Sequence, residues 1–210
     1  MLHEGNIYLM DYAIKNMPEA DAVLEIGSWG GLSTNLQLHL MRKYGRKEQF
    51  LGCDPWIYEG IHDETKGPAD TIDGNDLLKR TEYMDYIMQS FQRSVQLFQP
   101  NDLPYTIRAT SDDFFDWFDR NAVVTDVFGR TQKLEGRLAY CYIDGNHAYD
   151  FAKRDFENAA KHLVPGGFIL LDDSSDGSFC GSARLMHDIK KNRAFQIVEK
   201  NPNYLIRKVV

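Results

Sequence analysis

The sequence predicts an open α/β fold, a doubly wound and mostly parallel sheet, and three observations carry that prediction. Residues 23–26 form a short apolar strand that runs through a turn from Gly27 to Gly31 into a helical pattern. Two further apolar runs end on carboxylates, residues 49–53 before Asp54 and residues 139–143 before Asp144. Residues 139–173 read as a complete βαβ unit, because Ala152, Phe156, Ala159, Ala160 and Leu163 recur at helical spacing between one strand and the next. The crossover of such a unit is right-handed, so its strands are parallel and Asp144 and Asp172 reach the same sheet edge.

The elements follow in chain order. Ile7, Met10, Ile14 and Met17 fall at helical spacing and Pro18 ends the run, which predicts an N-terminal helix against the sheet. After the strand at 23–26 and its glycine turn, the chain is helical from Ser33 or Thr34 to about Tyr44. A second strand ends on Asp54. Tyr83, Ile87, Phe91, Val95 and Phe98 then mark a helix over residues 83–98, and residues 105–112 read as the third strand and its exit loop. Phe114, Phe115, Trp117 and Phe118 fit a core or a helix face. Pro165-Gly166-Gly167 stops the helix of the βαβ unit, and Phe168-Ile169-Leu170-Leu171 forms a strand covered on both faces that ends on Asp172-Asp173. Residues 195–199 and 204–210 are β-rich, with a turn at Asn201-Pro202-Asn203.

In open α/β sheets, ligands sit in the crevice beyond the carboxyl ends of the strands, where a glycine turn leads into a helix N-terminus. A dinucleotide fingerprint would place glycine at 27, 29 and 32, and Trp29 and Leu32 stand there instead. That argues against NAD but not against a nucleoside ligand without phosphate. The pattern Glu25-x-Gly27-x-x-x-Gly31 resembles motif I of the class I S-adenosylmethionine (SAM)-dependent methyltransferases. The resemblance implies that Glu25, Gly27, Ser28 and Gly31 bind the cofactor. Asp54, about 20 residues beyond the glycines, stands where such folds place an acid on the ribose hydroxyls. An Asp-Pro turn that merely caps the chain explains Asp54 equally well.

Asp144, Asp172 and Asp173 would converge at one edge, with neighbouring strand ends about 5 Å apart. Like charges that close disfavour one another's ionisation, and a hard divalent cation such as Mg²⁺ is the usual relief. The blocks 142–149 and 167–173 resemble the divalent-metal-dependent small-molecule O-methyltransferases, the catechol and caffeoyl-CoA type and the bacterial macrolide-sugar type. This implies a Rossmann-like seven-stranded sheet closed by a C-terminal antiparallel hairpin. It makes Asp144, Asp172 and Asp173 metal ligands, with Asp144 also part of the catalytic centre. It also puts Ser111 and Asp112 beside the adenine. Two departures stand out. His147 occupies the place of the catechol-type lysine base, and Asp173 that of an asparagine. Histidine has an ordinary pKa of about 6.5, so it can accept a proton near neutrality. Simpler readings stay open, with the Asp pair capping a loop and His147 capping the next helix.

Residues 55–80 do not fit the minimal fold: they are polar, acidic and without periodicity, with Trp56, Tyr58 and His62 interspersed. Connections that long are usually lids, binding loops or insertions. The expectation is a substrate lid or dimer contact within a single domain over residues 1–210. A formal charge of −7 offers no basic field for nucleic-acid phosphate, although Arg42, Lys43, Arg46 and Lys47 make a local basic helix end. No apolar run reaches membrane-spanning length and no signal peptide is visible, so a cytoplasmic, membrane-free protein is expected. Cys53, Cys141 and Cys180 are odd in number and lack zinc spacing, as reduced thiols would.

The expected function is transfer of the SAM methyl group to a hydroxyl of a small molecule, assisted by Mg²⁺, in a possible homo-oligomer. A metal-independent methyltransferase acting on N, O or C is one alternative. A non-catalytic SAM- or nucleoside-binding module is another, and a dinucleotide reductase is the remotest.

Overall fold

The computed structural model describes residues 2–57, 71–72 and 75–210. In chain order the elements are α1 (Glu4–Asn16), β1 (Ala22–Ile26), α2 (Leu32–Lys43), β2 (Gln49–Cys53), β3 (Thr71–Ile72), β4 (Asn75–Lys79), α3 (Arg80–Phe98), β5 (Tyr105–Ile107) and α4 (Ser111–Asp119). They continue with β6 (Val123–Thr125), β7 (Thr131–Lys133), β8 (Leu138–Ile143), α5 (Tyr149–His162), β9 (Leu163–Leu171), α6 (Gly181–Ile189), β10 (Phe195–Asn201) and β11 (Asn203–Lys208). Seven strands form one sheet in the order β10-β11-β9-β8-β1-β2-β5. The pairs β1–β2, β1–β8, β2–β5 and β8–β9 are parallel, and β9–β11 and β10–β11 antiparallel. The chain leaves β1 in one direction toward β5 and returns to lay β8 on its other side. That reversal is a topological switch point, where a ligand crevice opens.

Side chains of successive strand residues point to opposite faces, and β8 shows both layers. Cys141 and Ile143 join Leu24, Leu51, Phe114, Phe118, Phe156 and Leu185 on the face covered by α4, α5 and α6. Tyr140 and Tyr142 join Leu9, Met10, Ile14, Leu38, Phe50 and Leu170 on the face of α1 and α2. Trp56, Met84, Ile87, Phe91 and Val95 form a third cluster under α3.

Several boundaries differ from the sequence expectations. The third strand stops at Ile107, and Ser111 and Asp112 lie in the first turn of α4 rather than in an exit loop. Thr110 caps that helix, its hydroxyl accepting the Asp113 N–H at 3.1 Å. Pro165-Gly166-Gly167 does not separate helix from strand. It lies inside β9, where the register against β8 shifts between Leu138↔Leu163 and Tyr140↔Phe168, because an extra loop of backbone is absorbed as a bulge with Gly166 at φ +82°. In α1, Asn6 is buried with Leu9, Met10, Ala13 and Ile14, whereas Ile7 is turned outward. In α3, Met84 takes the buried place and Phe98 is exposed. Phe114, Phe115 and Phe118 are core, as read. The β6–β7 hairpin and α6 were not foreseen. The hairpin is short and mostly exposed, while Ala183, Leu185, Met186 and Ile189 did carry a helical signal. Of the expected lid at 55–80, residues 58–70, 73 and 74 lie outside the described residues. Among the described residues no helix is long and apolar enough to cross a membrane.

Candidate functional site

Strand register brings the acidic ends together. Ile26 pairs with Cys53 and with Ile143, and Ile143 with Leu171. The next residue of each strand continues the ladder: Gly27 N–H donates to the Cys53 carbonyl (2.9 Å), Asp144 N–H to Ile26 (2.8 Å) and Asp172 N–H to Ile143 (2.9 Å). Asp54 N–H reaches Ile107 at 3.2 Å. Gly27, Asp54, Asp144 and Asp172 therefore stand level at one sheet edge. Gly27 has φ +85°, and a Cβ there would collide with the carbonyl oxygen of Asp144. Only glycine lets the cofactor-type turn and the acidic edge approach so closely.

Glu25 is wholly buried, with Oε1 accepting from Gln37 Nε2 at 2.7 Å and Oε2 from the Thr34 hydroxyl. Burial pushes its pKa up to about 7, against opposing hydrogen bonds such as that of the Thr34 hydroxyl. Both of its oxygens face the first turns of α2. Gly31, at φ +85°, is the cap residue of that helix. Ser28 is buried, and its N–H and that of Trp29 donate to Asp54 Oδ2 at 2.9 and 2.8 Å. Asp54 Oδ1 accepts from Trp56 N–H at 2.7 Å. Burial raises the Asp54 pKa, and those three backbone donors pull against it. A carboxylate offers about four acceptor positions, so roughly one is left for a ribose hydroxyl. Trp29 and Trp56 complete the clamp, since the Trp56 indole N–H donates to the Trp29 carbonyl at 3.0 Å.

At the β8 and β9 ends, ligand atoms of Asp144, His147 and Asp172 lie within 4.8 Å of one another. His147 Nε2 is 3.4 Å from Asp144 Oδ1, and the Tyr142 hydroxyl donates to Asp144 Oδ2 at 2.9 Å. Asp173, the third carboxylate of the expected ligand set, lies beside this group of three. Its side chain is 54% exposed, its backbone has φ +49°, and its Oδ2 lies 3.3 Å from His147 Nδ1, the other ring nitrogen. Burial and then the charge of Asp144 push the Asp172 pKa up to about 7. Burial works against the His147 imidazolium, but Asp144, Asp173 and Asp172 outweigh it and raise its pKa. A pair of carboxylates in which one resists ionisation near neutrality calls for positive charge. Two carboxylates and one imidazole fit a divalent cation, and the nitrogen donor widens the choice from Mg²⁺ toward Mn²⁺ or Fe²⁺.

The residues carried over for adenine contact both lie in the first turn of α4. Asp112 faces Arg154, at 3.2 Å from its Nε, and Ser111 starts α4. Sequence reasoning missed Asn6, Tyr142 and Asn203, which support the acidic group from beneath. A buried polar residue on an apolar helix stripe, as Asn6 is, was the available signal.

A mostly parallel sheet with a glycine turn after β1, acids after β2, β8 and β9, and an antiparallel closing pair defines the class I SAM-dependent methyltransferase arrangement. A family model described as a methyltransferase domain matches residues 24–174, and the chain belongs to that family. No curated protein matches it. Among solved structures it is similar to an O-methyltransferase from Bacillus cereus in complex with SAH, with 14% identity and TM-score 0.62 over 100% of this chain and 83% of that one. It is similar also to the O-methyltransferase TomG from Streptomyces achromogenes, involved in tomaymycin synthesis, with 13% identity and TM-score 0.59 over 100% and 82%. An rRNA methylase from Streptococcus thermophilus shares the fold at 9% identity and TM-score 0.56 over 100% and 99%. At such identities the likeness is one of fold.

Proposed function

We propose that this methyltransferase transfers the SAM methyl group to a hydroxyl oxygen of a small molecule, at a site that also holds a divalent cation. The observation that carries the reading is the shared edge: the Gly27 turn, where the family holds its cofactor, abuts the backbone of Asp144 in the acidic group. In the reaction the acceptor oxygen attacks the methyl carbon in line. The O–C bond forms as the S–C bond breaks, S-adenosylhomocysteine leaves, and the hydroxyl proton passes to solvent water. Gly27 and Gly31 shape the turn, Glu25 ties it to α2, and Asp54 both braces it and offers the ribose an acceptor.

Asp144, Asp172 and His147 would hold the cation. Bound there, it would lower the pKa of the acceptor hydroxyl and orient it. Asp173 then orients His147 through Nδ1, as carboxylates commonly do for metal-binding imidazoles. Without a cation, Asp144, Asp173 and Asp172 raise the His147 pKa against its burial, which favours the protonated ring and weakens it as a free base. The net charge of −7 favours a small acceptor over nucleic acid, and the free cysteines fit a reducing cytoplasm.

The same His147 geometry favours a second reading. An imidazolium between Asp144 and Asp173 would offset part of the charge at this edge without metal, as in a metal-independent methyltransferase. Calorimetric titration with SAM, SAH and NAD, each with and without Mg²⁺ or Mn²⁺, followed by an acceptor screen, tests these readings. The expected result is binding of both adenosyl ligands but not NAD, and turnover that EDTA abolishes. EDTA-indifferent turnover selects the metal-independent enzyme. Binding with no turnover on any acceptor points to a non-catalytic module, and failure of both adenosyl ligands overturns the reading.

A further inference from the structure

We infer that Asn6 and Asn203, from opposite ends of the chain, are positioning residues that aim Asp172 into the acidic group. Asn6 Nδ2 donates to Asp172 Oδ1 at 2.5 Å, and Asn203 Nδ2 donates to the same oxygen at 2.7 Å. The two amides are also bonded to each other, Asn203 Nδ2 to Asn6 Oδ1 at 3.0 Å. Both residues are buried, Asn6 completely. A carboxylate oxygen has about two acceptor positions, so these two donors fill Oδ1 and leave Oδ2 as the oxygen with capacity for a ligand. Asn6 also reaches the Tyr142 hydroxyl at 3.4 Å, and that hydroxyl donates to Asp144. One amide thus bonds Asp172 directly and the hydroxyl that supports Asp144.

Two features show that the fold is shaped around this contact. A Cβ at Gly5 would collide with the carbonyl oxygen of Asn201, so glycine next to Asn6 lets α1 press against the closing hairpin where Asn203 begins β11. Asn203 also holds the far side of the acidic pair, its Oδ1 accepting the Ser174 N–H at 3.1 Å. An amide on each terminal element brackets the segment 172–174. An apolar side chain at either place would fill the same space without fixing which oxygen of Asp172 faces outward.

The inference rests on the proposed cation site, and its test separates the two. Mn²⁺ binding is followed by electron paramagnetic resonance, and SAH binding by calorimetry, in the wild type, Asn6→Leu and Asn203→Leu, with thermal melting as the check on folding. Loss of outer partners of metal ligands commonly weakens binding about 10- to 100-fold. The expected result is Mn²⁺ affinity at least about tenfold weaker in each variant, with SAH affinity within about twofold of wild type. Asn6→Ser and Asn203→Ser, which keep a short donor, replace any leucine variant that does not fold and are expected to lose less. Wild-type Mn²⁺ affinity in the folded variants would overturn the positioning role alone. Absence of Mn²⁺ binding by the wild type would overturn the cation site and the positioning role together. Equal weakening of Mn²⁺ and SAH binding would mean that the amides only hold the fold together.

Discussion

Gly27 and Glu25, two residues apart, do different work. Gly27 is bound by sterics: its positive φ strains any L side chain, and a Cβ would strike backbone that cannot move aside. Gly27→Ala should cost on the order of 3 kcal/mol in urea unfolding and weaken SAH binding, because β1 and β8 would part at the crevice. Unchanged stability would show that the turn has slack. Glu25 is governed by solvation. Its pKa of about 7 in the folded protein lies above its ordinary value of 4.5, so the folded state holds the proton more tightly between those limits. The contribution of Glu25 to stability should be complete below pH 4.5 and be lost as pH rises through 7, by on the order of 3 kcal/mol. Glu25→Gln can keep both hydrogen bonds, donating to Thr34 and accepting from Gln37. Chemical denaturation from pH 4 to 8 should show the slope in the wild type and a shallower one in the variant. Parallel curves would mean that Glu25 is ionised throughout.

At the scale of elements, the β1–α2 turn is secured less by its glycines than by the end of β2. Asp54 gathers the N–H groups of Ser28, Trp29 and Trp56, two of them in buried bonds. Asp54→Asn turns a donor group toward one or more of them, and a buried N–H without a partner costs about 1–3 kcal/mol. Thermal or urea unfolding should register that loss along with weaker SAH binding. If only SAH binding falls, Asp54 serves the ribose alone. The cap of α4 is a separate device. Thr110→Ala removes the hydroxyl that accepts Asp113 N–H and should cost about 1 kcal/mol, with SAH affinity unaltered.

Across the whole molecule, the switch point places the Gly27 turn and the acidic group side by side yet on separate strands. Their functions should therefore separate by mutation. Asp144→Asn and Asp172→Asn are expected to abolish cation-dependent turnover while SAH affinity stays within about threefold, a difference of less than about 1 kcal/mol. Loss of SAH binding in both variants would assign that edge to the cofactor instead. The same architecture draws both chain ends into the site, α1 through Asn6 and β11 through Asn203.

What the amino-acid order determined by itself is the sheet and the level of its acidic ends. Apolar runs broken by glycine turns and helical stripes leave few ways to bury both faces of a parallel sheet, and right-handed crossovers select among them. Asp144 and Asp172 could be put at one edge on that basis, and Phe114 and Phe118 in a core or on a helix face. Tertiary structure decided which polar groups meet. Asp54 turned toward backbone N–H groups, Asp173 toward the outer nitrogen of His147, and Glu25 toward α2, and Asn6 rather than Ile7 faced inward. Periodicity reports the face on which a side chain stands, but a hydrogen-bond partner depends on distances of a few tenths of an ångström between segments remote in sequence. Those distances exist only once the layers have packed.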